Sequence, residues 1–309
     1  MAGTEPVEVG DPEDDALYVL TAVLLTPAQF PSVLGDDYPE ACAALGLEPY
    51  AEGYGLVLGQ DGEGARWTVV VDDVSLVAVA IASWDCGMEY DLSPDERSVV
   101  VALPGWPLAL AVAAPHVPEP HDPETAPGER PPLVPPDPRE WGPAQRRMGA
   151  DEVALQWASW RDQLGEDAFA GGGEGAASPR PVDGEPAAPS ESGEPVAAAP
   201  APEADVLAGG SGAAGRSTDG GHRALRRVLT ELRGYLREPP PPGRVRSGFA
   251  PGGARTLRAD GPGWSVVART DDIAFVLLDE MPREVLPVGR GPKLPALLAA
   301  LDSMAERPA

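Results

Sequence analysis

An internal repeat constrains the fold of this chain more than any other feature of its sequence. The two copies are LGQDGEGARWTVVVDDVSLV, which begins at Leu58, and LRADGPGWSVVARTDDIAFV, which begins at Leu257. Both contain a leucine, an Asp-Gly pair, a tryptophan, two valines, an Asp-Asp pair and a further valine, in that order. Because a repeat sets the architecture of a chain, it predicts two small β-rich modules of one type.

Each copy predicts a three-stranded antiparallel meander. Short runs rich in valine and other strand formers alternate with Asp-Gly and Asp-Asp segments, which are typical of tight turns. The glycines of 61–64 and 260–263 can adopt the positive φ that such turns require. The predicted meander strands are 55–60, 66–71 and 74–82 in the first copy, and 254–259, 264–269 and 273–279 in the second.

Further strands and helices are predicted around the two meanders. The sequence predicts strands at 16–25, 98–103 and 284–288, and a helix start at Thr26-Pro27. It also predicts a helical turn that ends at Gly46, a helix at 222–237 that begins module 2, and a closing helix at 292–304. The helix 222–237 carries an apolar stripe and is predicted to be capped by Thr218 or Asp219. The predicted fold class is α+β: two related modules, each an antiparallel meander sheet packed with helices, joined by a long disordered linker.

Composition divides the chain into six regions. A low-complexity segment poor in large apolar residues lies between the modules, and it cannot bury enough surface to offset its ordering entropy. The predicted regions are a disordered acidic N-terminus (1–14), acidic module 1 (15–115), a proline-rich spacer (116–138), a helical segment (139–165), a disordered linker (166–221) and module 2 (222–309).

Charge is distributed unevenly along a chain whose net charge is −26. Residues 1–115 have a net charge of −18, residues 116–221 of −12, and residues 222–309 of +4. Since like charges resist approach, module 1 should avoid nucleic acid and anionic membranes. The basic module 2 is expected to contact module 1 or an acidic partner. The alternative is that the uneven charge only keeps the protein soluble.

The cysteines and the N-terminus predict a soluble protein of the cytoplasm. Cys42 and Cys86 form neither a CxxC pair nor a metal-ligand spacing, and two thiols do not make a disulfide framework. The acidic N-terminus lacks the positive charge of a signal peptide. The longest apolar stretch, 16–25, is too short to span a bilayer.

Two helical faces are the predicted partner-binding surfaces. A helix over 151–164 places apolar residues on one side, and tryptophans are enriched among interface hot spots. We expect this stripe to pack on module 1 or to anchor in the groove of a partner. A second helix, 222–237, has a basic side that could bind an acidic protein face. The alternative is that this basic side only faces solvent. The candidate partner-binding residues are Val153, Trp157, Trp160, Leu164, Arg226, Arg233 and Arg237.

Carboxylate chemistry is the alternative to a binding function. Paired aspartates can hold a metal or do acid–base work, but both Asp-Asp pairs lie where a hairpin turns. The GxGxxG match at 210–215 lies in the linker without a surrounding βαβ unit. We therefore expect no cofactor and no metal site. The aspartates that an enzyme would use are Asp72, Asp73, Asp271 and Asp272.

The sequence favours a non-catalytic binding or adaptor protein, or a chaperone-like protein, whose protein partner is unidentified. Two similar modules of opposite charge on a tether suit bivalent capture, because a tether raises the effective concentration of the second site. An acidic immunity-type inhibitor of a basic toxin is one alternative. An enzyme that depends on carboxylates is the other.

Overall fold

The computed structural model describes residues 17–88, 92, 94–164 and 214–306. These residues form two antiparallel sheets, of four and five strands, each packed with helices. The predicted α+β fold with two antiparallel modules is therefore confirmed. The predicted N-terminal segment 1–14 and residues 166–213 of the predicted linker lie outside the described residues.

The sheet of module 1 has the strand order β1-β2-β3-β4. Strand β2 is buried along its whole length because apolar clusters cover both faces of the sheet. One cluster contains Leu56 and Trp106, and the other contains Val57 and Val71. The bounds of the strands are β1 Tyr18–Leu25, β2 Tyr54–Gln60, β3 Arg66–Val71 and β4 Val99–Pro104.

A helix replaces the third meander strand predicted in module 1. Residues Val74–Asp85 form helix α2, so the predicted strand at 74–82 is wrong. Asp73 starts this helix, because its carboxylate accepts a hydrogen bond from the backbone N–H of Leu76 at 3.0 Å. The run VSLVAVAIASW is apolar throughout, and such a run does not distinguish a buried strand from a helix.

The other helix of module 1 begins later than predicted. Thr26 forms a turn in which its side chain and backbone bond Gln29, so Thr26-Pro27 does not start a helix. Helix α1 is Tyr38–Leu45, and Asp37 caps it through the backbone N–H of Glu40. As predicted, the helix ends at Gly46, which has a φ of 72°.

The sheet of module 2 is a five-stranded meander, β5-β6-β7-β8-β9. Helices α5 and α6 cover one face, where Trp264 and Val228 lie in the main apolar core. Strand β5 was not predicted from the sequence. The bounds are β5 Val245–Phe249, β6 Arg255–Gly261, β7 Trp264–Arg269, β8 Ala274–Leu278, β9 Val285–Val288, α5 Ala214–Tyr235 and α6 Leu294–Ala305.

Helix α5 begins at Ala214, before the predicted boundary of module 2. The two residues predicted as caps, Thr218 and Asp219, therefore lie within the helix and do not start it. The buried side of α5 contains Leu225, Val228 and Leu232, at the spacing of one helical face.

Two helices from the segment between the modules pack on the opposite face of the second sheet. Helix α3 is Pro143–Leu155 and helix α4 is Trp157–Asp162, and Gln156 separates them with a φ of −104°. The prediction of one continuous helix over 151–164 is therefore wrong. The apolar stripe of this segment contacts Val267 and Phe275 of module 2, while α3 also contacts module 1, where Ser32 donates a hydrogen bond to Asp151 at 3.1 Å.

Within the described residues, no helix combines the length and the apolar composition needed to cross a membrane.

Candidate functional site

A buried carboxylate, Asp260, lies at the centre of an ion network. The network is on the face of the second sheet that helix α3 covers. It is fully buried, and it accepts hydrogen bonds from Arg246 at 2.8 Å, Arg258 at 3.0 Å and Ser265 at 2.6 Å. Arg258 also pairs with Asp151 of helix α3. The sequence predicted that Asp260 begins a turn, but the residue lies within strand β6.

Neighbouring arginines on helix α3 extend this network. Arg146 is fully buried and donates to Asp279 at 2.9 Å and to the backbone oxygen of Trp264 at 2.6 Å. Arg147 Nε lies 2.8 Å from Asp36 Oδ1, without the direction of a hydrogen bond. The network contains five arginines and six carboxylates: Arg146, Arg147, Arg244, Arg246, Arg258, Asp36, Asp37, Glu40, Asp151, Asp260 and Asp279.

Two buried carboxylates of the network, Asp260 and Asp36, respond to this environment in opposite directions. Burial acts to raise the pKa of Asp260, but Arg258 and Arg246 outweigh burial and hold that pKa below its usual value. At Asp36, burial outweighs the attraction of the nearby arginines and raises the pKa. Asp260 is therefore a charged, fully paired group, and we assign the network a structural role.

The predicted apolar stripe is largely occupied by contacts within the chain. Val153 and Trp157 are buried, and Trp160 and Leu164 pack beside them. The ring of Trp157 meets Phe275 edge-on, with centroids 5.1 Å apart. A role of the stripe in binding a partner stays a prediction.

The Asp-Asp pairs act locally. Asp73 caps α2, and hydrogen bonds from the backbone N–H of Leu76 and from Ser75 lower its pKa. Asp271 pairs with Arg269 at 2.8 Å, and Asp272 pairs with Arg161 at 3.2 Å. Asp72 is exposed. Three of these four carboxylates therefore stabilise a cap or an ion pair.

The predicted basic residues are exposed, and they lie on helix α5 and just after it. Arg226 and Arg233 are seven positions apart on one side of α5, whereas Arg237 lies two residues beyond the end of the helix at Tyr235, so the predicted helix end at 237 is wrong. None of the three forms an ion pair with any residue that the structure describes. Arg227 on the same helix differs, because it pairs with Glu280 at 3.2 Å. We call the three unpaired arginines the basic face.

A cleft of about 210 Å³ adjoins the basic face. Arg233 and Lys293 contribute cations to its wall, and the remaining lining is mainly apolar. An engineered apolar cavity of about 150 Å³ is large enough to bind benzene, so this cleft has room for an aromatic or a branched apolar side chain. The apolar and glycine residues of the lining are Leu229, Val288, Gly289, Gly291, Pro292, Leu294 and Leu297.

The basic residues of this site could be predicted from the sequence, but the cleft could not. The spacing of the three arginines is visible in the chain, whereas the cleft arises only when the start of α6 packs beside α5. No group of histidine, cysteine, aspartate or glutamate residues suited to a metal ion occurs among the described residues. Comparison of the chain with protein-family models, curated proteins and solved structures gave no match.

Proposed function

We propose that this protein is a non-catalytic binding protein, and that module 2 recognises an acidic protein segment through the basic face of α5. One observation supports the proposal above the others: three exposed arginines, two on α5 and one just after it, lack an ion-pair partner among the described residues. Other arginines of module 2, including Arg246, Arg258 and Arg269, are held by carboxylates. The basic face is thus available to the carboxylates of another molecule.

The cleft supplies the second part of the recognition. Charged contacts at an exposed surface give steering and specificity, while an apolar side chain that enters a pocket supplies binding energy. Arg233 lines the cleft and also belongs to the basic face, so a single segment can contact both. The partner that fits is an acidic segment with one bulky apolar residue between its carboxylates.

Existing contacts of the aspartates favour binding over carboxylate catalysis. Asp73, Asp271 and Asp272 already hold a helix start or an arginine, so using them in a reaction would disrupt those contacts. We place the protein in the cytoplasm, and the free thiols of Cys42 and Cys86 support that location.

We further propose that modules 1 and 2 dock on each other. Arg244 lies 2.8 Å from Asp37, and the backbone N–H of Tyr38 donates to Pro242 at 2.8 Å. The guanidinium of Arg246 also stacks 4.6 Å from the ring centre of Phe30. A double-mutant cycle with Asp37→Asn and Arg244→Gln tests this docking. A coupling of about 0.5–3 kcal/mol supports docking, and additive effects contradict it.

Titration with a labelled probe peptide tests the binding function. The probe is a ten-residue glutamate-rich peptide with one central leucine, and its affinity is measured by fluorescence anisotropy. Because an exposed arginine–carboxylate pair contributes about 0.2–1 kcal/mol, the variant with glutamine at Arg226, Arg233 and Arg237 should bind about 3- to 160-fold more weakly. The matched control is Arg227→Gln, which removes a paired arginine from the same helix and should bind almost normally.

A second variant tests the cleft without changing charge. Gly291→Leu adds an apolar side chain to the wall, where a Cβ atom meets no neighbour within 4 Å, and this side chain should reduce binding of the probe. Gly248→Leu is the control, because its added Cβ atom also meets no neighbour and the residue does not line the cleft. Equal affinity of the wild type and the triple glutamine variant would overturn the proposal.

A further inference from the structure

Strand β4 leaves one edge of the first sheet open. It pairs with β3 on one side, and on its other side the described residues provide only the isolated bridge between Gly105 and Leu133. The exposed fractions of Val99 and Val100 are 37% and 46%. Charges and prolines commonly protect the edges of sheets, but no charged residue interrupts this strand, and its proline, Pro104, lies at the end where Leu133 already pairs.

The register shows which backbone groups face outward. The backbone N–H of Gly105 donates to Arg66 of β3, whereas the oxygen of Pro104 accepts from Leu133 on the other side. Because these directions alternate along a strand, the backbone groups of Ala102 also point away from β3. At one end of this edge, the segment that contains Leu133 already pairs with the strand through the Gly105–Leu133 bridge.

Acidic residues lie near one end of the open edge. Asp72, Asp95 and Glu96 are exposed near the start of β4, where Arg97 is the nearby cation. The backbone N–H of Asp72 donates to Ser98, which places Asp72 beside that end of the strand. Across 17–115 the sequence contains 14 acidic and two basic residues. A second copy of module 1 would therefore be repelled, and a cationic segment attracted.

We propose that β4 accepts an added strand from a protein partner that presents an extended, basic segment. In such a complex the segment's backbone pairs with Ala102, its apolar side chains cover the exposed valines, and its cations meet the acidic residues. Strand addition of this kind obtains affinity from backbone hydrogen bonds and specificity from alternate side chains. This surface is separate from the basic face of α5, so the protein would hold two partners of opposite charge.

The test is binding of an alternating lysine–valine peptide of ten residues to the full chain, measured by fluorescence anisotropy. A control peptide has the same sequence with alternate amides N-methylated, which removes donors from one edge and keeps the charge. We expect the control peptide to bind at least about 10-fold more weakly. The protein variant Ala102→Pro removes the outward N–H and should cause a similar loss.

Further variants test whether the peptide binds at the edge of β4 or elsewhere on the protein. Val100→Lys adds a cation beside the edge and should also weaken binding, which provides a second test if Ala102→Pro does not fold. The change Phe249→Ala, at a 93% exposed residue of module 2, should have no effect, and neither should glutamine at the three arginines of the basic face.

Two results would overturn the proposal. Equal affinity for both peptides would show that charge alone attracts the probe. A wild-type dimer in sedimentation experiments that Ala102→Pro converts to a monomer would assign the edge to a second copy of the chain.

Discussion

Replacing Asp260 with asparagine removes the charge at the centre of the ion network and keeps the size of the side chain. Asp260 is fully buried, and both Arg246 and Arg258 depend on its carboxylate. The variant leaves these guanidinium groups enclosed without that counter-charge, and breaking a buried ion pair costs about 3–5 kcal/mol. We expect the free energy of unfolding to fall by that amount.

Urea unfolding followed by far-ultraviolet circular dichroism measures this loss, because urea does not screen charges. The control is Asp271→Asn, which makes the same chemical change at an ion pair in the same module. The side chain of Asp271 is 50% exposed, and exposed pairs contribute at most about 1 kcal/mol. The control should therefore lose less than about 1 kcal/mol.

A double variant tests whether the cost comes from the unpaired arginine. Adding Arg246→Gln to Asp260→Asn removes one of the stranded charges, so the combined loss should be smaller than the sum of the two single losses. Equal losses for Asp260→Asn and Asp271→Asn, or a loss below about 1 kcal/mol at Asp260, would refute the assignment of a stabilising network.

Three other predictions concern the helices and the response to pH. Trp157→Ala should lower the free energy of unfolding in urea by about 3–5 kcal/mol. The control Leu155→Ala, at an 86% exposed residue, should change that free energy by less than about 0.5 kcal/mol. Similar losses for both variants would contradict the packing of Trp157 on module 2. Asp73→Ala should cost about 1 kcal/mol through the lost cap of α2, and Asp72→Ala much less, measured as a difference in unfolding midpoints. The folded-state pKa of Asp260 is lowered, so its stabilisation is complete above the unfolded pKa of about 3.9 and disappears as the pH falls through the folded value. The difference in stability between the wild type and Asp260→Asn should therefore shrink in urea titrations below about pH 4, and a constant difference would contradict the lowered pKa.

The hairpins were predictable because their pattern is local. Strand β7 has the predicted bounds, Trp264–Arg269, and the turns before β3 and β7 contain Gly64 and Gly263 with φ values of 93° and 75°. Helix α2 was missed because its apolar run has no periodicity, so the cap at Asp73 was the sole local signal for a helix.

The ion network was not predictable, because it depends on contacts between distant parts of the chain. Arg258 and Asp260 alternate with the apolar residues Leu257 and Ala259 in β6, and this sequence pattern is typical of a strand whose polar side faces solvent. In the structure, helix α3 covers that side and supplies Arg146 and Arg147. Arg226 and Arg233 of α5 differ, because helical spacing alone places them on one side of the helix.

The position of α3 in the chain also affects how the protein is made. Arg146 is synthesised 133 residues before its partner Asp279. At about 5–20 residues per second, a ribosome needs about 7–27 s to cover that distance. During this interval α3 and α4 lack the sheet that buries Val153 and Trp157. A nascent chain paused before β8 would thus expose these residues, and it should bind general chaperones more strongly than the completed protein.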